Sequence, residues 1–451
     1  MDGHGRVVAR IDRTEKPLTD HVLLNIDDDW KDIAQFDAEG GHSSGVIGLS
    51  SDGKSLVRAA FNEQMGTDGL VTLPLSAGED AKELFSDRQY DIEGTLTDPW
   101  TGRIIGTTEI TDMSRDRYFD PAMQALQKGL EAAFHGNSVH AVNWDLSKQE
   151  VIVAVDGPQM PRSYFFLDRT THKARFIAST YPGLSKDQLG ETKPFPYKAR
   201  DGLNIPAYLT LPPSKTPKML PVVVLPHGGP RARDEIAFDW QAQFLANRGY
   251  AVLQPNFRGS SGYGRKFEEA GYGQWGLKMQ DDVTDGVRKL IADGIADPKR
   301  ICIVGGSYGG YAALAGAAFT PDLYACAVSW AGISDLGTLF SEERRYSGGD
   351  EWLMSAWRRF VGDSRDSKKL EAASPAFHVD RIKAPILLMH GEADTTVRIE
   401  QSEIMEKALK RAGKKVTFIS IPKESHYMQS AETRIRYLTE LEKFLAANIG
   451  N

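Results

Sequence analysis

Cysteine is scarce in this chain of 451 residues, which contains only Cys302 and Cys326. Both fall within predicted strands, so we expect them to be buried as small hydrophobic residues rather than joined in a disulfide. Two cysteines cannot form a four-cysteine zinc cage, and the ten histidines show no metal-ligand spacing. The sequence therefore indicates no metal site, and the chemistry argued below needs no cofactor.

Long apolar runs and an excess of positive charge are also missing. No apolar run approaches the ~20 residues that a membrane helix needs. The net charge of −7 gives no reason to expect nucleic acid or a membrane as a partner. Hydrophobic residues make up 41% and charged residues 25%, as in ordinary globular proteins, and the length suggests two or three domains. These features fit a soluble protein of the cytoplasm or the periplasm equally well.

The most informative stretch is Gly305–Gly309, with Ser307 at its centre. It follows the apolar run Ile301–Val304 and precedes the small-residue run Gly310–Ala315. This order predicts a strand, a sharp turn and a helix, the nucleophile elbow that lifts a serine hydroxyl out of a sheet. The flanking glycines allow a turn that side chains would crowd, and the helix N-terminus favours developing negative charge.

A carboxylate and a histidine follow Ser307 in the order that this architecture requires. Asp394 comes after the apolar strand at 385–389, and His426 comes after the strand at 416–421. Because parallel strands build their sites at their carboxyl ends, we expect Ser307, Asp394 and His426 to converge there as catalytic residues. The imidazole would remove the serine proton, and the carboxylate would fix the tautomer of the imidazole.

An oxyanion hole is expected from the loop that follows an earlier apolar strand. The run Pro221–Pro226 leads into His227-Gly228-Gly229-Pro230, where glycines expose backbone N–H groups. We assign the N–H groups of Gly229 and Tyr308 to the tetrahedral oxyanion. Packing beneath the loop is the simpler role for His227.

These motifs closely resemble those of the prolyl oligopeptidase family of serine peptidases, particularly its acylaminoacyl-peptidase-like and dipeptidyl-peptidase-like members. The resemblance covers the chain from about Lys193 onward and rests on His227–Pro230, Asn256–Gly264, Gly305–Tyr311, His390–Asp394 and Glu424–His426. It implies an α/β-hydrolase domain behind an N-terminal β-propeller that admits short peptides. Glu392 competes with Asp394 for the carboxylate role, but the family's pattern matches Asp394.

The second half predicts an α/β fold with a mostly parallel, doubly wound sheet, because strands alternate with helices. A hairpin turning at Asp201-Gly202 comes first. The expected strands are 221–225, 251–254, 300–304, 325–329, 385–389 and 416–421, and the expected helices are 240–248, 277–293, 308–319, 400–412 and 432–447. Asp281 and Asp282 are expected to begin a helix favourably and to do no chemistry.

The first half predicts a partial all-β propeller. Turn signals at 51–54, 99–102 and 146–149 start 48 and 47 residues apart, a spacing typical of propeller blades. A helical insertion is expected near 120–133. We place about three to four blades in residues 1–190 and the catalytic domain in residues 191–451.

The blade count conflicts with a closed propeller. Fewer than four repeats fit before about Tyr181, whereas closed propellers have about 4–8 blades. The segment Arg6–Asp12 moreover resembles the last strand of a blade. We therefore expect the front of the propeller to be missing, and its open edge to be covered by that N-terminal propeller fragment or by another copy in a homo-oligomer.

The substrate pocket is the least specific part of the sequence. Trp330, Ile333 and Val397 lie near strand ends and are candidates for apolar substrate contacts, although core packing explains Trp330 and Ile333 equally well. A basic residue for a substrate carbonyl or carboxylate could come from Arg344, Arg345, Arg358 or Arg359.

Three functions fit these residues. The first is a serine peptidase that cleaves short peptides or N-acylated aminoacyl bonds through an acyl-enzyme intermediate. The second is a carboxylesterase that acts on small esters with the same triad. The third is a non-catalytic binding protein of propeller type, which a complete triad disfavours.

Overall fold

The computed structural model describes residues 5–26, 28–39, 45–75 and 80–450. Residues 1–4 and 451, at the ends of the two predicted domain ranges, lie outside this part of the chain. No helix within these ranges combines the length and the hydropathy needed to cross a bilayer.

Four antiparallel sheets follow one another in the described part of the N-terminal region. Their strands are β1 (Ala9–Glu15), β2 (Leu18–Ile26) and β3 (Asp29–Asp37); β4 (Val46–Leu49), β5 (Ser55–Asn62), β6 (Thr67–Pro74) and β7 (Lys82–Phe85); β8 (Ile92–Thr97), β9 (Ile104–Ile110) and β10 (Ser114–Tyr118); and β11 (Ser138–Trp144), β12 (Glu150–Gly157), β13 (Met160–Asp168) and β14 (Lys173–Ser179).

The turns and the helix predicted in this region are confirmed. The turn signals lie between β4 and β5, between β8 and β9, and between β11 and β12. Helix α1 (Pro121–Ala133) links the third and fourth sheets, and the Asp120 side chain caps it by accepting a hydrogen bond from the Met123 N–H. The segment Arg6–Asp12 is not the last strand of its sheet: it runs into β1, an edge strand that β2 and β3 of the same sheet follow along the chain.

An eight-stranded sheet forms the centre of residues 191–450, in the order β15-β18-β20-β19-β21-β22-β23-β24. The bounds of its strands are β15 (Glu191–Pro194), β18 (Ala207–Leu211), β19 (Leu220–Val224), β20 (Ala251–Pro255), β21 (Ala296–Gly306), β22 (Cys326–Trp330), β23 (Ile386–Gly391) and β24 (Val416–Ile421). The pairs β15–β18 and β18–β20 are antiparallel and the others are parallel. Strands β16 (Tyr197–Lys198) and β17 (Asn204–Ile205) form the predicted hairpin.

The helices that cover this sheet include every one predicted from the sequence. They are α2 (Trp240–Asn247), α3 (Arg265–Glu269), α4 (Lys278–Ala292), α5 (Tyr308–Phe319), α6 (Leu336–Tyr346), α7 (Glu351–Val361), α8 (Ser367–Ala373), α9 (Glu400–Arg411) and α10 (Ala431–Ile449). Helix α3 was not predicted. Helices α6, α7 and α8, which lie between β22 and β23, were not predicted either. The fold class, a strand-rich N-terminal region followed by an α/β domain, is confirmed, while the boundary near residue 190 stays a prediction.

The large sheet has a hydrophobic core on each face. Strand β19 shows why: Val222 and Val224 belong to the cluster with α4, α5 and α9, whereas Val223 belongs to the cluster with α2 and α10. Successive side chains of a strand point to opposite faces, so a central strand must be apolar throughout.

The cysteines are buried as expected, but the expectation that they form no disulfide was wrong. Cys302 on β21 and Cys326 on β22 are register partners, and they are joined in a disulfide with their Cα atoms 4.7 Å apart. Neighbouring parallel strands place partner side chains side by side on one face of the sheet. Two cysteines 24 positions apart in the sequence therefore meet in the core.

A buried ion pair anchors the loop between β20 and α3. The Arg258 guanidinium donates to both carboxylate oxygens of Asp282 at 2.7–2.8 Å, and the Arg258 N–H donates to the same carboxylate at 2.9 Å. Side-chain exposure is 4% for Arg258 and 0% for Asp282. Asp282 is thus more than the favourable helix residue that we expected, whereas Asp281 lies in the first turn of α4 as predicted.

Two adjacent aspartates allow a matched test of this ion pair. We expect Asp282→Asn to lower the free energy of unfolding by about 3–5 kcal/mol, because it leaves the Arg258 charge buried without its main partner. Asp281 pairs with Arg200, and both side chains are about two-fifths exposed, so Asp281→Asn should cost under about 1 kcal/mol. Urea unfolding followed by circular dichroism measures both, and equal effects would contradict the assignment.

Candidate active site

Ser307 occupies the turn between β21 and α5, as predicted. Its φ is +58° and its ψ is −123°. A positive φ costs a serine roughly 1–3 kcal/mol, so the surroundings must hold it in place. The Ser307 N–H donates to the Trp330 carbonyl at 2.9 Å, and the Ser307 carbonyl accepts from the Tyr311 N–H at 3.0 Å.

The glycines around Ser307 are required by close backbone contacts. A Cβ atom on Gly305 would lie 2.2 Å from the Gly309 carbonyl oxygen, and one on Gly309 would lie 2.2 Å from the Pro226 carbonyl oxygen. Neither contact can relax without moving backbone. The elbow therefore packs directly against the end of β19, from which the predicted oxyanion loop begins.

Asp394 and His426 come together as predicted. The His426 Nδ1 lies 2.7 Å from the Asp394 Oδ2, with the carboxylate fully buried and the imidazole 8% exposed. The Asp394 Oδ1 accepts from the N–H groups of Thr396 and Val397 at 2.8 and 2.9 Å. Both oxygens are therefore engaged, and the carboxylate orients the imidazole.

A second histidine contacts the same carboxylate, and sequence reasoning missed it. The His390 Nε2 lies 3.3 Å from the Asp394 Oδ2 and 2.8 Å from the Val397 carbonyl, while its Nδ1 lies 2.8 Å from the Ser402 Oγ. Burial alone would raise the pKa of Asp394, but the hydrogen bonds from His390 and His426 outweigh it and hold that pKa below its usual range. Asp394 is thus kept ionised.

Glu392, the competing carboxylate, lies at the protein surface. Its side chain is exposed, whereas Asp394 is buried against His426. The Glu392 N–H donates to the Ile421 carbonyl at 2.9 Å, which ties the end of β23 to the end of β24. The geometry supports Asp394 alone for the carboxylate role.

Trp330 joins the two halves of the site. Its carbonyl accepts from the Ser307 N–H, and its indole Nε1–H donates to the His426 carbonyl at 2.9 Å. The indole is 3% exposed and packs at 5.7 Å, edge to face, against Tyr437 of α10. The serine turn and the histidine loop are thereby attached to one buried residue at the carboxyl edge of the sheet, the first through its backbone and the second through its side chain.

The loop predicted to form the oxyanion hole lies beside Ser307. A Cβ atom on Gly228 would lie 3.5 Å from the Ser307 Cβ, and Gly229 has a φ of +111°. Tyr308 is the first residue of α5, so its N–H has no acceptor within the helix. Both N–H groups assigned from the sequence thus belong to backbone that borders the serine.

His227 supports this loop from below. Its ring stacks on Phe257 at 4.4 Å, its Nδ1–H donates to the Gly228 carbonyl at 2.7 Å, and its Nε2 lies 2.8 Å from the Ser260 Oγ. Burial lowers the pKa of His227 to about 4, so the ring is neutral near pH 7. The simpler role considered for His227 agrees with these contacts.

The apolar pocket candidates need correction. Trp330, Ile333 and Val397 are 3%, 2% and 4% exposed and pack within the two cores. Val397 instead donates its N–H to Asp394 and accepts from His390. This burial favours core packing, the alternative already considered for Trp330 and Ile333, and a substrate contact by any of the three stays a prediction.

The four candidate arginines lie on α6 and α7. Arg358 is paired with Glu351, and Arg359 donates to Glu269 at 3.1 Å. The Arg345 guanidinium lies 5.5 Å from the Tyr346 ring, and Arg344 is in the last turn of α6. These contacts single out none of the four as a substrate ligand.

A cavity of about 600 Å³ lies between the N-terminal sheets and the loop that follows Pro230. Its lining includes Phe36, Arg58 and Phe61 from the N-terminal region and Arg231 and Arg265 from the α/β domain. A larger cavity of about 880 Å³ lies between residues 180–189, α2 and α10. Neither cavity is lined by Ser307, Asp394 or His426, so neither is identified as the substrate pocket.

Glu424 lies in the motif Glu424–His426, but the sequence did not indicate its own role. Its carboxylate accepts from the Ser425 and Gln429 N–H groups at 3.0 and 3.2 Å and from the hydroxyls of Ser430 and Thr433. Glu424 thereby fixes the loop that carries His426. The signal for this role in the sequence was the position of Glu424, two residues before His426.

Comparison with known proteins matches this chain to peptidases. A sequence model of the prolyl oligopeptidase family matches residues 236–451. Dipeptidyl aminopeptidase BIII of Pseudoxanthomonas mexicana is 36% identical over 419 residues, which cover 89% of this chain and 59% of the relative. Dipeptidyl peptidase family member 6 of Caenorhabditis elegans is 31% identical over 84% of this chain and 54% of its own length. The chain thus spans little more than half the length of these relatives.

Solved structures agree with the fold. A puromycin-hydrolysing peptidase of Mycobacterium tuberculosis superposes with a TM-score of 0.77 and 25% sequence identity. The match covers 96% of this chain and 66% of that one, so it includes the strand-rich region as well as the α/β domain.

The two neighbouring carboxylates give a matched test of the site. We expect Asp394→Asn to slow the reaction of Ser307 with a fluorophosphonate by roughly a thousandfold or more, because the amide would favour the wrong tautomer of His426. Glu392→Gln, at an exposed position, should change the rate by less than about twofold. The rate is measured by time-resolved labelling and mass spectrometry, and a larger loss for Glu392→Gln would reverse the assignment.

Proposed function

The chain belongs to the prolyl oligopeptidase family, and we propose that it is a serine peptidase that cleaves short peptides through an acyl-enzyme intermediate. One observation carries this proposal. The Asp394–His426 pair lies at the sheet edge where Trp330 is hydrogen-bonded to both Ser307 and His426. A serine, an imidazole and a buried carboxylate so arranged are the parts that acyl transfer needs.

Each residue has a defined step in this proposal. The Ser307 Oγ attacks the scissile carbonyl carbon while the His426 Nε2 takes its proton, and the N–H groups of Gly229 and Tyr308 bind the oxyanion. The C–N bond then breaks, and His426 protonates the departing amine. Water, deprotonated by His426, releases the acyl group and restores Ser307. Asp394 holds the imidazole and stabilises its charged form throughout.

The relatives support release of dipeptides from a free amino terminus. The two relatives that match 89% and 84% of this chain have dipeptidyl peptidase names. The peptidase names also favour amide cleavage over the esterase reaction.

Paired substrates test the proposed activity. We expect a dipeptidyl anilide with a free amino group to be cleaved at least tenfold more efficiently, in kcat/KM, than the same anilide carrying an N-acetyl group, because a site for dipeptide release must accommodate the amino terminus. Product release is followed by absorbance. A preference for the acetylated compound would favour N-acylated aminoacyl substrates instead.

The same assay needs a control for adventitious hydrolysis. Ser307→Ala should reduce anilide cleavage by roughly a thousandfold or more, because the nucleophile is removed. Turnover of a nitrophenyl ester by the unaltered protein, with no cleavage of any anilide or peptide, would contradict the peptidase proposal.

A further inference from the structure

Tyr427 is an exposed aromatic side chain beside the proposed catalytic histidine. Its exposure is 70%, whereas the adjacent His426 side chain is 8% exposed. The Tyr427 ring lies 5.1 Å from the imidazole, measured between centroids, at an interplanar angle of 84°. A single exposed aromatic residue is common, so its exposure alone argues nothing. Its position against the imidazole is what calls for an explanation.

The loop that presents Tyr427 is fixed. The Glu424 carboxylate accepts hydrogen bonds from Ser425, Gln429 and Ser430, on both sides of the tyrosine. The Glu424 carbonyl accepts from the Ala393 N–H at 2.9 Å, which ties this loop to the loop that carries Asp394. A rigid aromatic surface binds a ligand with little loss of conformational entropy.

The proposed chemistry indicates which side of the scissile bond the Tyr427 ring would contact. The His426 Nδ1 is occupied by Asp394, so only its Nε2 can exchange protons with the reactants. In acyl transfer that nitrogen protonates the departing amine, which must therefore pass next to the imidazole. An exposed ring in contact with the imidazole borders the path of the departing residue.

We propose that Tyr427 forms the contact surface for the residue on the leaving-group side of the scissile bond, and that it favours a large apolar or aromatic residue there. Aromatic rings that pack edge to face or offset attract each other beyond the burial of apolar area. The phenol hydroxyl keeps one edge of the surface compatible with water. This inference rests on the proposed peptidase function and adds a preference to it.

Two peptides test the inference. They share the same free-amino dipeptide and differ in the next residue, phenylalanine in one and glycine in the other, each ending in an amide. For each enzyme the measured quantity is the ratio of kcat/KM for the phenylalanine peptide to that for the glycine peptide, by chromatography of the released product. We expect Tyr427→Ala to lower this ratio about tenfold, because the apolar contact is lost. Tyr427→Phe should keep the ratio within about twofold.

A control variant separates this effect from general loss of surface aromatics. Phe176 on β14 is 60% exposed, and Phe176→Ala should leave the ratio unchanged. A fall in kcat/KM by the same factor for both peptides in Tyr427→Ala would mean that the ring only supports His426, and an unaltered ratio would mean that it contacts no substrate. Either result overturns the inference.

Fluorophosphonate labelling distinguishes this failure from a failure of the proposed function. If Ser307 is labelled and the peptides are cleaved while the ratio does not move, only the role of Tyr427 is wrong. If Ser307 is not labelled and neither peptide is cleaved, the proposed peptidase function fails and the inference fails with it.

Discussion

The geometry of this site depends on a backbone that is too closely packed to accept side chains. Ser307 keeps its positive φ because Gly305 and Gly309 pack against neighbouring carbonyls and because the Trp330 carbonyl holds its N–H. The indole of the same tryptophan holds the carbonyl of His426. The serine turn and the histidine loop, which carry the proposed nucleophile and base, are therefore both attached to one buried residue, Trp330, through its backbone carbonyl and its indole. This is the preorganisation that acyl transfer requires, since a misplacement of 1 Å lowers the rate strongly.

The strand-rich region takes part in this arrangement. Arg233 donates to the carbonyls of Ile110 and Thr111 at 2.9 and 2.6 Å, and the Phe238 N–H donates to Asp156 at 2.9 Å. Both residues belong to the segment that follows the Gly228-Gly229 loop. The N-terminal sheets thus hold the segment adjoining the proposed oxyanion hole.

Features with a local signal could be predicted from the sequence, whereas features that depend on distant partners could not. Ser307, Asp394 and His426 were identifiable because turns after apolar strands have local signatures. The roles of Trp330 and Asp282 could not be predicted, since they depend on partners 96 and 24 positions away in the sequence. The helices α6, α7 and α8 were missed although Asp335, Asp350 and Asp366 cap them, because they follow one another between β22 and β23 and so break the alternation of single strands and helices on which the prediction relied. A contact between distant segments leaves no recognisable pattern in the sequence of either segment alone.

Two histidines contact the Asp394 carboxylate, and their surroundings assign them different tasks. The Val397 carbonyl can only accept, so the His390 Nε2 must carry a proton, and its Nδ1 is taken up by Ser402. His390 is wholly buried and has no ring nitrogen left for a reactant. Within the part of the chain that the structure describes, His426 makes its side-chain hydrogen bond through Nδ1, and its imidazole is 8% exposed. One imidazole therefore orients the carboxylate while the other is free to exchange protons, which explains how one carboxylate can serve both without ambiguity about the base.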